Sequence, residues 1–542
     1  MEGISGRPTL SIKEIRFIAM ITLGLILMTS VPYLLGHILP FKTSKFNENM
    51  VFDPDLNAYF AFMQQSAQGQ LLFHNPFTSE PHEPVFFNLE WFVVGKFASL
   101  AKVSLETAFQ LQRITLIFLL CFSFYFLSTF FFETVMMRRI IFIMAMFGGG
   151  FGWVLALPIF GSHLPDWRFY DTWTGFHPFF SMLLQPHFLM AQTFSTLTLC
   201  LFLIAETMHL KRYYLLAALC CVIVGSMRPF DMLFLMVAIT IYLAILTFGR
   251  RDSNLLFYKI LFVIMPIPLM SYYLWLMKIH PVFQWWSIQN ILKPPPPSSL
   301  VVTLGVAFIL LAFNLKNLGN LKDSSAANAL IACCFLSSIA LIYCYPVLKF
   351  TLQFETTIVI PSLFVGTMSL EKKIIRAVQR SRWTIVGIVM ILILNSLTSV
   401  LLLKGKIQEV ADGKHRTDIQ LLAAYKWLDK ESEPRDVILP SSSYPTGNQI
   451  PRYTHNSVFS GYHFNTVNFR EKNRMVKKFF DIDTNDSFRQ DFLNRFDIRY
   501  IFIRIGDIKL GGYNPHTSKF LEEVFKNDAV RIYKVLVSPG RS

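Results

Sequence analysis

Apolar residues fill long runs over the first three-quarters of the chain, and polar residues gather between them. A helix needs about 20 apolar residues to cross a hydrocarbon core of roughly 30 Å. Runs near that length fall at 14–38, 107–132, 138–160, 186–208, 213–227, 230–248, 260–278, 299–315, 326–345, 351–369 and 384–404, which predicts eleven membrane-spanning helices. Two stretches break the pattern: a long first loop, 39–106, and a polar tail, 405–542, long enough to be a domain. The tail alternates helical and strand periodicity, as a small α/β domain does. It predicts helices near 416–431, 469–480 and 486–496, strands near 436–440 and 498–505, a short helix near 517–525, and a last strand at VRIYKVL. The expected organisation is a transmembrane domain, 1–404, that includes the first loop, followed by the tail domain.

The charges give these runs a direction. Of 542 residues, 53% are hydrophobic and only 16% charged, against about a quarter charged in soluble domains, so a soluble enzyme, a disordered chain and a disulfide scaffold are all excluded. Arg7, Lys13 and Arg16 precede the first run. Arg138-Arg139, Lys211-Arg212, Arg250-Arg251 with Lys259, Lys316 with Lys322, and the cluster Lys372, Lys373, Arg376, Arg380 and Arg382 occupy every second loop. Positive residues favour the cytoplasmic side. The N-terminus is therefore expected inside, and the first loop and tail outside. Much of the net charge of +15 is thus an orientation signal, and nucleic acid is not an implied partner. The first run is too long for a cleaved signal and reads as a signal anchor. All seven cysteines lie in apolar runs, which predicts buried thiols and neither a disulfide framework nor a cysteine metal site.

Three groups of residues could carry chemistry. The first loop contains FDPDLNAYF, in which Asp53 and Pro54 read as a helix start and Leu56, Tyr59, Phe60 and Met63 as an apolar face lying in the membrane interface. Asp53 and Asp55 also form a D-x-D pair. Such a pair can act as a general base or ligate a hard divalent cation such as Mg2+ or Mn2+. Further along, His74, Glu80, His82, Glu83 and Asn88 crowd titratable groups against aromatic residues; interface anchoring explains most of this segment without chemistry. Finally, polar residues stand at the predicted outer ends of spans, where their desolvation is costly. They are Arg113, His187 in QPH, Arg228 and Asp231 in RPFD, and Lys349, Gln353 and Glu355 in LKFTLQFE. Snorkelling or a structural Arg228–Asp231 pair would account for them singly; together they suit an anionic ligand such as a lipid-borne phosphate. GGGFGW at 148–153 lacks the residues of a phosphate loop and reads as close helix packing.

One apolar anchor, an acidic first loop (FDPDLNAYF), further spans with positive inner loops and an outer α/β tail together resemble the GT-C superfamily of polytopic membrane glycosyltransferases, in an uncharacterised bacterial branch. The texture extends to NPFTSEP, LQPHFLMA, RPFD, YKWLDKESEPRDVIL, TGNQIPRYTHNSVFSGYHFNT and DIRYIFIR, and no WWDYG-type motif is present. The resemblance implies an inverting transfer of a sugar from a polyprenyl-phosphate donor to an extracytoplasmic glycan, lipid or protein acceptor, at a bacterial plasma membrane. It assigns the base, or a metal ligand, to Asp53 or Asp55, and the donor phosphate to Arg228 and Lys349. The alternatives are a transporter or lipid-handling protein without transfer chemistry, and an inactive scaffold of the same fold.

Overall fold

The protein was analysed as a computed structural model, which describes residues 9–50, 53–155, 175–247, 255–315, 318–319, 321, 324–507 and 511–536. Arg7, Arg250, Arg251, Lys316, Lys322, the Asp53 side chain and the end of the 138–160 run lie outside the described residues. The chain divides into two compact units. One comprises Met1–Pro32, Gln110–Tyr273 and Leu292–Gln408, and the other Tyr33–Phe109, Leu274–Ile291 and Glu409–Ser542. The first loop thus shares a unit with the tail.

Most of the first unit is helical. Among the described residues six helices are long and apolar enough to cross a membrane: Ile12–Ile38, Leu105–Ser128, Pro186–Met208, Leu256–Lys278, Ala326–Tyr343 and Trp383–Ala411. A bent pair, Pro297–Leu304 and Val306–Asn314, makes up to seven. The other apolar runs are helical but shorter or interrupted. Lys211–Met227 and Pro229–Thr247 turn at Arg228, Val135–Met146 stops before Gly148, and 351–369 divides into a tight turn, Thr351–Thr357, and a helix, Val359–Thr367.

The interruptions have a local cause. At Gly305 the backbone takes φ +54°, a conformation open to glycine, and the two helices it joins meet at 109°. Phe151 N donates to Val302 O at 2.6 Å, so this break lies beside the glycine run 148–150. The carbonyls freed by the run accept hydrogen bonds from the last long helix. Asn395 Nδ2 donates to Met144 O at 2.9 Å, Thr398 Oγ1 to Gly150 O at 2.8 Å and Ser399 Oγ to Gly148 O at 3.1 Å. Irregular backbone is tolerated in an apolar environment only when its polar groups are satisfied in this way. Close packing is therefore the role of GGGFGW.

Charged contacts tie helix ends together. Arg138 Nη1 pairs with Glu14 Oε1 at 3.1 Å, Thr134 N and Oγ1 donate to Glu371 at 2.7 and 2.6 Å, and Lys259 pairs with Glu206 at 2.8 Å. At other ends Leu292 N donates to Lys349 O at 3.0 Å, and Arg228 Nη2 to Gln353 O at 2.6 Å.

The second unit contains all seven strands found among the described residues. β1 (Ser44–Phe46) pairs with β2 (Arg416–Asp418), joining the first loop to the start of the tail. The remaining strands, β3 (Val437–Pro440), β4 (Ser457–Val458), β5 (Ile498–Arg504), β6 (Leu521–Lys526) and β7 (Val530–Val535), form one sheet in the order β4-β3-β5-β7-β6. β3 runs parallel to β4 and β5, and β7 antiparallel to β5 and β6. Alternate residues of β5 face opposite ways. Ile501 and Ile503 join Val476, Phe479, Phe492 and Leu493 from helices Phe469–Phe479 and Asp486–Arg495 in one core. Phe502 stacks instead on Tyr425 of helix Ile419–Glu431, with ring centroids 5.3 Å apart. The tail alternates helices and strands as expected, except that 416–418 and 521–526 are strand rather than helix.

In the first loop a helix runs Asp53–Ala67, beginning where Asp53-Pro54 predicts. Its apolar face does not lie open. Leu56, Phe60, Phe62 and Met63 are all 2% exposed or less, and Trp91 of helix Leu89–Ala101 stacks on Tyr59 and Phe62 at 5.0 Å. The expected interfacial face is therefore a packing face, because the loop supplies its own apolar partner.

Candidate functional site

Helix Asp53–Ala67 carries Asp55, half-buried near its N-terminal end, where a carboxylate is favoured by the helix dipole. The hydroxyl of Tyr462 donates to Asp55 Oδ1 through a short hydrogen bond. Burial and the facing carboxylate push the Tyr462 phenol well above its ordinary range, so it remains a donor. The next turn is held by amides and a buried cation. Asn57 Nδ2 donates to Asn448 Oδ1 at 2.7 Å, and Arg452 reaches Asn57 Oδ1 at 3.1 Å and Asn47 O at 2.8 Å. The Arg452 guanidinium also lies 4.3 Å from the Phe60 ring centre. Tyr462, Asn448 and Arg452 were not singled out from sequence, although all three stand within the segment TGNQIPRYTHNSVFSGYHFNT.

The other first-loop candidates belong to the same unit. His74 and His82 stack with ring centres 4.0 Å apart. His82 Nδ1 donates to Glu80 O at 2.8 Å and its Nε2 accepts from Asn75 N at 3.0 Å, which fixes a neutral tautomer. Burial and the neighbouring ring depress His74 to about 3, and burial depresses His82 as well. Glu80 makes an ion pair with Lys472 at 2.7 Å, and Thr78 and Ser79 take further bonds from that ammonium at 3.1 and 2.9 Å. Burial lowers Lys472 to about 8. Glu83 is exposed, and Asn88 caps helix Leu89–Ala101 by accepting from Trp91 N at 3.2 Å. Among the described residues no group of three or more His, Cys, Asp or Glu could hold a metal ion. Among the described residues Asp55 offers one carboxylate, bonded to Tyr462, and its D-x-D partner Asp53 has its side chain outside them.

In the first unit the RPFD segment meets the start of the 351–369 run. Arg228 Nε donates to Asp231 Oδ2 at 2.7 Å, and Thr356 Oγ1 donates to Asp231 Oδ1 at 2.5 Å. The Arg228 guanidinium stacks 4.4 Å from the centre of the Phe188 ring, next to His187. Its Nη2 takes Gln353 O, leaving Nη1 without a hydrogen-bond partner among the described residues. Lys349, four residues before Gln353, is exposed, its ammonium 4.8 Å from the Tyr345 ring centre. Glu355 is 1% exposed and His187 8%. Arg113 is differently placed: its nitrogens reach Gln110 at 2.7 Å, Thr29 at 3.0 Å, Ser30 at 2.8 Å and the Met182 carbonyl at 3.1 Å. It cross-links helices.

No protein-family model matches this chain, and no curated protein matches it by sequence. Its fold, however, has solved counterparts. It is similar to the oligosaccharyltransferase AglB of Archaeoglobus fulgidus in complex with an inhibitory peptide and a dolichol-phosphate, with a TM-score of 0.56 and 10% identity over 91% of this chain and 70% of that one. It is similar to the mycobacterial arabinofuranosyltransferase AftD, at 0.53 and 13% over 98% of this chain and 40% of that one. It is also similar to ArnT of Cupriavidus metallidurans bound to undecaprenyl phosphate, at 0.53 and 10% over 94% and 98%. The Archaeoglobus enzyme is known in complex with Zn and sulfate as well. The chain shares the GT-C-like fold with these structures.

Proposed function

We propose that this chain is a membrane glycosyltransferase that moves a sugar from a polyprenyl-phosphate donor to an extracytoplasmic glycan, lipid or protein acceptor. The observation that carries the reading is the fold likeness to ArnT bound to undecaprenyl phosphate, which runs through 94% of this chain and 98% of that one. In this reading Asp55 or Asp53 takes the proton of the acceptor hydroxyl. The acceptor oxygen bonds to the anomeric carbon as the bond from that carbon to the phosphate oxygen breaks. The configuration inverts, and the polyprenyl phosphate leaves with the electron pair. Lys349 and the Nη1 edge of Arg228 are the cationic groups suited to the departing phosphate, where a preorganised positive charge stabilises the transition state. Asp231, Gln353 and Thr356 hold Arg228, and Tyr462 orients Asp55.

The reading includes an orientation: a multi-pass protein of the bacterial plasma membrane, N-terminus cytoplasmic, with the first loop and the tail outside. Contacts within the first unit support the alternation of sides. Glu14 with Arg138, Thr134 with Glu371 and Glu206 with Lys259 join helix ends that the positive loops assign inside. Arg228 with Gln353 and Leu292 with Lys349 join ends assigned outside.

The test is transfer by the purified full chain from a panel of polyprenyl-phosphate sugars. Loss of a general base costs about 10²–10⁴-fold in rate, so either Asp53→Asn or Asp55→Asn is expected to show a fall of that size. Transfer at the wild-type rate in both variants overturns the acidic-loop base. Substrate flux into proteoliposomes with no covalent product overturns the transferase reading and favours a transporter.

A further inference from the structure

The tail carries a cavity that the transfer chemistry leaves unused. Its volume is about 340 Å³, within the roughly 300–1,000 Å³ of small-molecule sites. Ser441, directly after β3, and Asp507, three residues past β5, both line it. From β3 the chain passes to β4 on one side and then to β5 on the other, so the β3/β5 gap is a topological switch point. Open α/β sheets bind ligands outside the carboxyl ends of their strands at such a point.

The lining is chemically specific. The hydroxyls of Ser441, Ser442 and Thr446 all donate to Asp507 Oδ2, at 2.9, 2.7 and 2.6 Å. That fixes the carboxylate and leaves Oδ1 without a hydrogen-bond partner among the described residues. Arg531 Nη1 engages His516 Nε2 at 3.0 Å, while its Nε is buried with no partner among the described residues. A buried donor in that condition is unfavourable until something accepts from it. Asn514 adds an amide, and Tyr513 and Tyr533 add aromatic rings. Tyr513 is held firmly: the Arg489 guanidinium lies 3.6 Å from its ring centre, and its hydroxyl contacts Ser518 Oγ at 2.6 Å. The chain reaches Tyr513 through Gly511 at φ +115° and Gly512 at φ +84°, a turn that side-chain-bearing residues rarely adopt.

A carboxylate oxygen unpaired among the described residues, guanidinium and amide donors, and aromatic rings complement a ring that carries several hydroxyls. A phosphate would meet the Asp507 carboxylate, and the loop after β3 is Ser441-Ser442-Ser443 rather than a glycine-rich phosphate cradle. A lipid tail would leave the polar groups buried and unsatisfied. We propose that this cavity binds one sugar residue of a glycan acceptor, with Asp507 Oδ1 accepting from a ring hydroxyl, Arg531 and Asn514 donating to others, and Tyr513 packing against the C–H face of the ring. This assignment rests on the glycosyltransferase reading for the word acceptor; the binding itself does not.

The experiment uses the full chain in lipid nanodiscs and saturation-transfer NMR with free arabinose, mannose, glucose and galactose, and 31P line broadening of inorganic phosphate as a separate arm. At least one sugar is expected to show saturation transfer to its ring protons, falling at least fivefold in both Asp507→Ala and Arg531→Met. In the transfer assay Asp507→Ala is expected to raise the KM for a glycan acceptor about tenfold with kcat little altered. No saturation of any of the four sugars, equal signals in wild type and both variants, or binding of phosphate alone each overturns the cavity assignment. If transfer is still lost in Asp55→Asn, the reaction stands without the cavity. Sugar binding that depends on Asp507 in a chain that transfers nothing keeps the cavity and removes the reaction.

Discussion

Replacing Asp231 by alanine separates the two roles available to Arg228. Both side chains are nearly inaccessible, 3% exposed for Arg228 and 1% for Asp231, and the Nε–Oδ2 distance is 2.7 Å. Removing one partner of such a pair leaves an uncompensated buried charge, at about 3–5 kcal/mol. At about 1.4 kcal/mol per tenfold, that is roughly a thousandfold loss in the folded-to-unfolded ratio. Thr356→Val removes only the hydroxyl bonded to Asp231 Oδ1 at 2.5 Å, and a hydrogen bond to a charged group contributes about 1.5–3 kcal/mol. The double variant Arg228→Met/Asp231→Leu removes both charges at similar volume and is expected to regain most of the loss, because exchanging a buried pair for apolar residues is close to neutral. Equilibrium unfolding in mixed micelles, followed by tryptophan fluorescence, measures all three. An Asp231→Ala loss below about 1 kcal/mol, or a double variant less stable than Asp231→Ala, would refute the buried-pair reasoning. The folded double variant then reports on chemistry: with the fold retained, its transfer rate reads what the guanidinium contributes to the donor phosphate.

Two pH effects follow from groups outside the spans. His74 is neutral in the fold down to about 3, whereas an unfolded histidine takes a proton near 6.5; the unfolded state therefore binds more protons in that window, and stability falls as pH drops from 6.5 toward 3, by about 1.4 kcal/mol per pH unit. His74→Phe is expected to flatten that slope, and an unchanged slope rejects the assignment. Lys472 loses its proton near 8 in the fold, against about 10.4 when unfolded, so the unfolded state again holds more protons and stability rises between those values. Lys472→Met is expected to abolish the rise, read from unfolding midpoints across that range.

The elements legible in the sequence were those whose pattern coincided with a regular backbone. Apolar runs became helices, and VILP, IRYIFIR and VRIYKV became strands. What hydropathy could not register was backbone conformation within an apolar run. The run 299–315 is continuous in composition but turns through 109° at Gly305, and the helix that opens the 138–160 run ends at Met146 before a glycine stretch; Thr398 and Ser399 take the carbonyls of Gly150 and Gly148, and Asn395 that of Met144, about 250 residues away in sequence. The segment 517–525 failed for a different reason. Phe520, Leu521, Val524 and Phe525 repeat at helical spacing, yet β6 pairs with β7 through an irregularity between Glu523 and Phe525. A bulge inserts a residue and shifts the alternation of faces, which disguises a period of two.

At the candidate site the sequence identified the acids and not what holds them. Asp55 stood out as one of two acids at a helix start, but Tyr462, which bonds to it, is 407 residues away. The tail segment that resembles GT-C proteins only in texture contains the residues that grip helix Asp53–Ala67: Asn448 and Arg452 through Asn57, and Tyr462 through Asp55. The rule that a charge in an apolar run marks function selected Arg113 and Arg228 alike, and the two differ in what their nitrogens have left to do. Arg113 spreads its donors over two hydroxyls, an amide and a carbonyl, as a cross-link between helices requires. Arg228 is held on two nitrogens, with Nη1 unclaimed among the described residues. Asp507 in the tail presents the same signature, one oxygen saturated by three hydroxyls and the other without a partner among the described residues. Burial alone marks expensive residues of either kind. Ligand-binding ones are separated from structural ones by a group fixed on one side and unsatisfied on the other, because only that combination is both preorganised and vacant.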